Sequence, residues 1–242
     1  MEPQIDTGAA TTGKGQVRIE EPTRAERLIA RQAAESRATV PDFELTSIVD
    51  MSAMVSALSE LRAAYEPGSA PSLSGVAVKA CALALRQHPR ANSCYRDGHF
   101  ELFGRVNVGV VIAADDSLAV PTILDADAKT AREISAELRS LAARVRAGTI
   151  TPPELAGATF TISNLGMHGV TSFSAPVIPP QAALLAVGAA REVPIVRDGD
   201  IVTGHEMNLT LTCDHRILYG ARAAAFLAQI RAFLERPREL LD

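Results

Sequence analysis

Cysteine is scarce in this sequence: three in 242 residues, Cys81, Cys94 and Cys213, with no C-x-x-C pair among them. An odd, scattered count excludes a disulfide framework and points to reduced thiols in a cytosolic protein. No stretch approaches the roughly 18 unbroken apolar residues of a membrane span. The first residues lack a charged-then-apolar leader, and Glu2 and Asp6 argue against a transit peptide, so the expected location is cytoplasmic. Surplus positive charge is also missing. At a formal net charge of -4, neither nucleic acid nor an anionic membrane is an expected partner. His88, His99, His168 and His205 stand at no ligand-like spacing from one another or from the cysteines, so no metal is expected. "SNLGMHG" has glycines but not the lysine or the spacing of a phosphate-binding loop.

What remains is an ordinary globular composition, 47% hydrophobic with 16 Gly and 14 Pro, in a chain long enough to bury a substantial core. Residues 1–16 carry almost no bulky apolar groups and read as a flexible tail or linker remnant. From 17 to 242 the composition is even, without a second linker or an internal repeat, which predicts one domain.

Helices are expected in five places. "PTRAERLIARQAAES" has Pro22 at a first-turn position. In "DMSAMVSALSELRAAY", Met51, Met54, Val55, Leu58 and Leu61 keep helical spacing behind a capping Asp50. "SLSGVAVKACALALRQH" is apolar nearly all round, as in a deeply buried helix stopped by Pro89. In "AKTAREISAELRSLAARVRAG", Ile134, Leu138, Leu141 and Val145 form one stripe that Gly148 ends. From about Ala221, Phe226, Leu227, Ile230 and Leu234 share a face.

Strands lie between the helices. "YRDGHFELF" and "PIVRDGDIV" each place Asp-Gly between apolar runs, a hairpin signal. "RVNVGVVIA" reads as one continuous strand covered on both faces. "ATFTIS" and "AALLAVGAA" read as further strands. Helices and strands mix without regular alternation, which predicts an α/β fold with a mixed or antiparallel sheet and helices on one side.

Two constellations could carry chemistry. In "MNLTLTCDHR", Met207, Leu209, Leu211, Cys213 and His215 fall on one strand face, with Asn208, Thr210, Thr212 and Asp214 on the other. His215 then ends an apolar row, where desolvation favours the neutral ring that general-base work requires; a buried structural histidine is the plainer alternative. In "TFTISNLG", Thr159, Thr161 and Ser163 share a face opposite Phe160 and Ile162. Ser163 could equally begin an Asn164–Gly166 turn. Cys213 reads as an inert buried thiol rather than a nucleophile. The arginines of "LRSLAARVRAG" read as a solvated helix face.

"TLTCDHRILYGARAAAFLAQIRAFLERPRELL" resembles the closing segment of the dihydrolipoamide acyltransferases, core components of 2-oxoacid dehydrogenase complexes, whose signature there is D-H-R-x-x-D-G. The resemblance extends to "LAGATFTISNLGMHGVTSFSAPVIPPQAALLAVG", "VNVGVVIAADDSLAVPTI" and "RLIARQAAESRATVPDFELTSIVDM". Together they cover nearly the whole chain from about residue 22, in the family's order. The resemblance implies a two-layer sandwich of the chloramphenicol-acetyltransferase type. It also implies transfer of an acyl group, most simply acetyl, between coenzyme A and the dihydrolipoyl group of a lipoyl domain.

His215 takes the family's base position and Ser163 its oxyanion-donor position, with Asn164, Asp214, Arg216 and Tyr219 as supporting residues. In the family the base and the donor meet between subunits, so the resemblance implies at least a homotrimer, within a larger core. No metal is implied. The partners would be the lipoyl domain and the other components of the complex. The lipoyl group would come from a domain absent from this chain, and Lys129, at the start of a helical segment, does not read as its attachment site.

The chain departs from the family pattern twice. Tyr219 stands where the motif usually has an aspartate that pairs with a first-helix arginine, which leaves Arg24, Arg27 or Arg31 without that partner. Asp42 stands in "VPDF" where many members have P-H-F. These departures leave two other readings open. One is a scaffold member that has lost the chemistry, and the other is a free-standing acyltransferase acting on a small alcohol or amine.

Overall fold

Side-chain caps set the starts of three of the first four long helices. The computed structural model describes residues 11–13, 15–17, 19–114 and 117–241. Most of the expected tail, residues 1–10 and 14, lies outside the described residues; within its remainder Thr11–Thr12 (β1) pairs with Gly15–Gln16 (β2). Helix α1 (Arg24–Thr39) opens with a reciprocal capping box between Thr23 and Glu26. Pro22, expected inside the first turn, stands before that cap, because Thr23 supplies the oxygen and Glu26 the return bond. Strand β3 (Asp42–Asp50) ends one residue before α2 (Ser52–Ala64): the N-cap position is Met51 rather than the expected Asp50, whose carboxylate accepts the N–H of Ser52 at 2.9 Å from the residue before the cap. Ser72 accepts from Gly75 at 3.1 Å to start α3 (Leu73–Gln87), whose buried residues run from Gly75 to Leu85.

A hairpin comes next, β4 (Ser93–Arg96) and β5 (His99–Leu102), turning at Asp97 and Gly98 with φ of 49° and 82°. Positive φ at both central residues is the geometry that Asp-Gly favours. Beyond it lie β6 (Val108–Val110), β7 (Ile112–Ala114), β8 (Ser117–Ala119) and β9 (Thr122–Ile123), then α4 (Ala131–Arg146) behind a Thr130–Glu133 capping box. Then follow β10 (Phe160–Asn164), β11 (Ala183–Val187), β12 (Arg191–Arg197), β13 (Asp200–Asp214), α5 (Gly220–Leu234) and the short α6 (Arg238–Leu241).

Seven strands form the main sheet in the order β12-β13-β11-β10-β6-β9, with β3 also on β13. Strand β10 runs parallel to β6 and β11, and the other pairings are antiparallel. Phe160, Ile162, Leu185, Val187, Leu209 and Leu211 join one core with Val76, Leu85, Ile134, Leu138, Phe226 and Ile230 of the helices. The opposite sheet face carries Thr161, Ser163, Thr210 and Thr212. The segment between β10 and β11 crosses that face. Its Val177 carbonyl accepts from Ser36 at 2.6 Å, its Thr171 carbonyl from Asn208 at 3.2 Å, and Gln181 from Thr161 at 2.8 Å. The expected two-layer α/β arrangement with a mixed sheet is therefore what forms.

Two expectations need correction. "RVNVGVVIA" is not one strand: β6 stays in the main sheet, while β7 leaves it to pair with β8. The parallel ladder between β6 and β10 ends at Val110–Ile162, and β10 turns away two residues later, so the chain beyond finds its partner in β8. Strand β3 was not foreseen, because Ser47 breaks the alternation of Phe43, Leu45 and Val49.

Gly188 sits where two backbones approach closely: a Cβ there would lie 2.1 Å from the Thr171 carbonyl oxygen. Gly188→Ala is expected to destabilise the fold by about 1–3 kcal/mol through overpacking. Thermal unfolding measures it, and an unchanged Tm contradicts the assignment.

Candidate active site

Strand β13 ends on a buried carboxylate, and the chain then turns through residues 215–218 into α5. Asp214 accepts from Arg216 bidentately, Nε to Oδ1 at 2.9 Å and Nη2 to Oδ2 at 2.7 Å, and from the Arg216 backbone N–H at 2.9 Å. Its own carbonyl accepts the N–H groups of Ile217 and Leu218, each at 2.9 Å. The "DHR" stretch is therefore a self-braced turn. Asp214 lies directly opposite Asp42 in the β3–β13 register. Like charges so placed repel, and each is offset by its own arginine: Arg37 holds Asp42 at 3.0 Å. The Asp214 carboxylate in turn holds the Arg216 guanidinium above its ordinary pKa.

His215 rides on this turn. Its backbone N–H donates to the Pro41 carbonyl at 2.9 Å, and its ring meets Phe43 edge-on at 4.7 Å between centroids. The Tyr219 ring lies 5.9 Å from the His215 ring between centroids, tilted by 54°. The burial expected of His215 is not met in the protomer, where the residue is exposed. The physical reason is that strand pairing stops at Asp214–Asp42, one residue short of the histidine, so the ring projects from the end of the sheet.

Tyr219 precedes α5 without a side-chain cap bond and is 50% exposed. Its hydroxyl has no hydrogen-bonding partner among the described residues. Of the arginines considered for it, Arg27 donates to the Pro22 carbonyl at 2.6 Å and Arg31 has no carboxylate partner among the described residues. The side chain of Arg24 lies outside the described ones.

Ser163 is buried on the polar face of β10, and its hydroxyl has no hydrogen-bonding partner among the described residues. Asn164 shapes the turn that leaves the strand: Oδ1 accepts from Gly166 N–H at 2.8 Å and Nδ2 donates to Ser74 at 3.0 Å. Register then separates the two main candidates. Ser163 pairs with Ala186, and Ala186 with Thr210, so Ser163 is level with a residue five positions before His215. At sheet spacings that is about 17 Å along the strands and about 10 Å across them. Within one protomer the two side chains do not meet.

The other candidates take structural places. Lys129 pairs with Glu137 beside the start of α4. His88 packs edge-on against Phe226, and burial pushes its pKa down. Among the described residues, no three His, Cys, Asp or Glu side chains gather as a metal site. Sequence reasoning missed Phe43 and Pro41, which hold the ring and the backbone of His215. The signal was present in "VPDF", where both flank Asp42.

The acyltransferase catalytic-domain model of the 2-oxoacid dehydrogenases matches residues 14–242, and the chain belongs to that family. The architecture is shared more widely: a chloramphenicol acetyltransferase superposes with a TM-score of 0.51 at 15% identity, covering 84% of this chain and 94% of that one, a likeness of fold alone. A mitochondrial dihydrolipoyllysine-residue acetyltransferase component of the pyruvate dehydrogenase complex of Arabidopsis thaliana is 35% identical over 224 residues, covering 90% of this chain and 42% of that protein. The chain thus spans about half the length, or less, of the curated relatives it matches.

The cubic core of a pyruvate dehydrogenase multienzyme complex superposes with a TM-score of 0.90 at 28% identity, covering 100% of this chain and 99% of that one. The dihydrolipoamide acetyltransferase of Azotobacter vinelandii gives the same figures, TM-score 0.90, 28% identity and coverage of 100% and 99%. In that enzyme the roles of a serine, a histidine and an asparagine in the catalytic mechanism have been investigated by crystallography and enzymology. That serine and histidine are as many positions apart as Ser163 and His215 are here. The asparagine stands four places after the histidine, which is the place of Tyr219.

Burial pushes the Cys213 thiol up to about 12, aided by the Asp214 charge, and raises Cys81 as well. A thiol whose pKa is raised carries little thiolate at pH 8. Cys81 and Cys213 are therefore expected to resist iodoacetamide in the folded protein and to react once it is unfolded. Rapid alkylation of native Cys213, read by peptide mass spectrometry, overturns this.

Proposed function

We propose that the chain transfers an acetyl group between coenzyme A and the dihydrolipoyl group of a lipoyl domain, as the catalytic core of a 2-oxoacid dehydrogenase complex. The observation that carries the reading is the pair Ser163 and His215, spaced as in the Azotobacter enzyme and set on a fold that superposes with it throughout. His215 serves as the base and takes the proton from the dihydrolipoyl thiol. The sulfur attacks the thioester carbonyl, and Ser163 donates a hydrogen bond to the oxyanion that develops. Collapse of the tetrahedral adduct expels the coenzyme A sulfur, which receives the proton from His215. The free Ser163 hydroxyl suits this task, since it has no competing bond to break.

Distance makes the protomer incomplete for this chemistry. A serine and a histidine held apart by the sheet register can act together only when they come from different chains. Hence the proposal includes a homotrimer with three sites between protomers, within a larger core. Coenzyme A and the lipoyl arm are substrates, the latter borne by a lipoyl domain. Asn164 sets the turn after Ser163, Asp214 and Arg216 brace His215, and Tyr219 replaces a polar side chain with an aromatic wall. Three buried, unpaired thiols suit the reducing cytoplasm.

His215→Ala is expected to lower acetyl transfer from acetyl-CoA to dihydrolipoamide by about 10²–10⁴-fold, and Ser163→Ala by about 10²–10³-fold. Light scattering should report unchanged assembly in both. Co-assembly of the two variants is expected to restore activity that neither has alone, because a mixed trimer contains interfaces with an intact pair. An inactive wild type with intact assembly points instead to a scaffold that has lost the chemistry. Faster turnover with small alcohols or amines than with dihydrolipoamide points to a free-standing acyltransferase.

A further inference from the structure

A file of rings and guanidinium groups joins the β4–β5 hairpin to the turn that carries His215. Tyr95 and Phe100 are direct cross-strand partners in the hairpin, with ring centroids 5.5 Å apart. The guanidinium carbon of Arg90 lies 3.2 Å from the Phe100 ring centroid, and that of Arg216 lies 5.1 Å from the Tyr95 centroid. Arg216 then closes on Asp214 through two nitrogens. The hairpin is itself tied to the sheet beside this turn. Cys94 bridges to Gln181, and the next residue, Ala182, offers its carbonyl to the Asp214 N–H at 2.9 Å.

The ion pair is lopsided: the Arg216 side chain is 37% exposed, whereas that of Asp214 is 3% exposed. A long side chain half in water has rotamers that would leave the carboxylate, and such a departure would strand a buried charge. An aromatic face beneath the guanidinium disfavours those rotamers. Asp214 Oδ1 also accepts the Arg216 backbone N–H, the N–H of the peptide group that begins at the His215 carbonyl. Loosening the pair therefore loosens the main chain from which the imidazole projects.

We propose that Tyr95 is a positioning residue for His215: its ring face keeps the Arg216 guanidinium on Asp214, and that ion pair fixes the turn bearing the histidine. The kinetic part of this inference rests on the acyl-transfer reading. The structural part does not. Tyr95→Phe, Tyr95→Leu and Arg216→Gln test it in the assembled protein. Tyr95→Leu is expected to lower kcat about ten-fold with little change in KM for either substrate, since misplacing a base affects the chemical step rather than binding. Tyr95→Phe keeps the ring face and should restore kcat.

Diethyl pyrocarbonate modification of His215, followed by peptide mass spectrometry, gives a readout that needs no turnover. It should quicken in Tyr95→Leu and Arg216→Gln and stay at the wild-type rate in Tyr95→Phe. If the wild type transfers no acetyl group, the acyl-transfer reading fails and the modification rates alone decide this proposal. If Tyr95→Leu does not assemble, Arg216→Gln carries both readouts. Unchanged modification rates, a defect confined to KM, or equal kcat losses in Tyr95→Phe and Tyr95→Leu overturn the assignment.

Discussion

The pairing of β13 with β3 on one side and β11 on the other is the constraint that shapes the site. Both ladders run out within a residue of Asp214. Because the ladder ends there, the next peptide can turn, and because Asp214 is buried it must be neutralised from within the turn. Arg216 does this at two residues' remove. The histidine between them is thus presented by a carboxylate and a guanidinium that satisfy each other. The Pro41 carbonyl takes the one backbone donor that the turn leaves over at His215.

A second consequence is chemical contrast between the two faces of the sheet. One face is aliphatic and aromatic and meets the helices. The other carries hydroxyls on Thr161, Ser163, Thr210 and Thr212: Gln181 accepts from Thr161 and Thr46 pairs with Thr210, while Ser163 and Thr212 have no hydrogen-bonding partner among the described residues. Polar groups on a covered face are normally spoken for.

Much of this was legible from residue order. The helical stripe of α4, the Asp-Gly turns and the end of α3 at Pro89 arise from local sterics and periodicity, and local signals need no knowledge of the rest of the chain. The D-H-R stretch and the Ser163 strand were legible as motifs. What escaped were relations across the sheet. The exposure of His215 depends on where β3 stops pairing, and Phe43, which meets its ring, and Tyr95, which faces Arg216, come from strands far away in sequence. Tyr219 departs from the family motif, and its placement beside the imidazole ring follows from the turn that carries both residues. The division of "RVNVGVVIA" likewise depends on β10 turning away, which no local pattern encodes.

The long arithmetic of the register has one more outcome. If Ser163 and His215 work as a pair, a newly made chain holds halves of two different centres and the whole of none. Folding alone then confers no activity, and only encounter with sister chains does so. Such a protein is silent when dilute and becomes competent at the moment of assembly, so its subunit contacts double as the switch that licenses its chemistry.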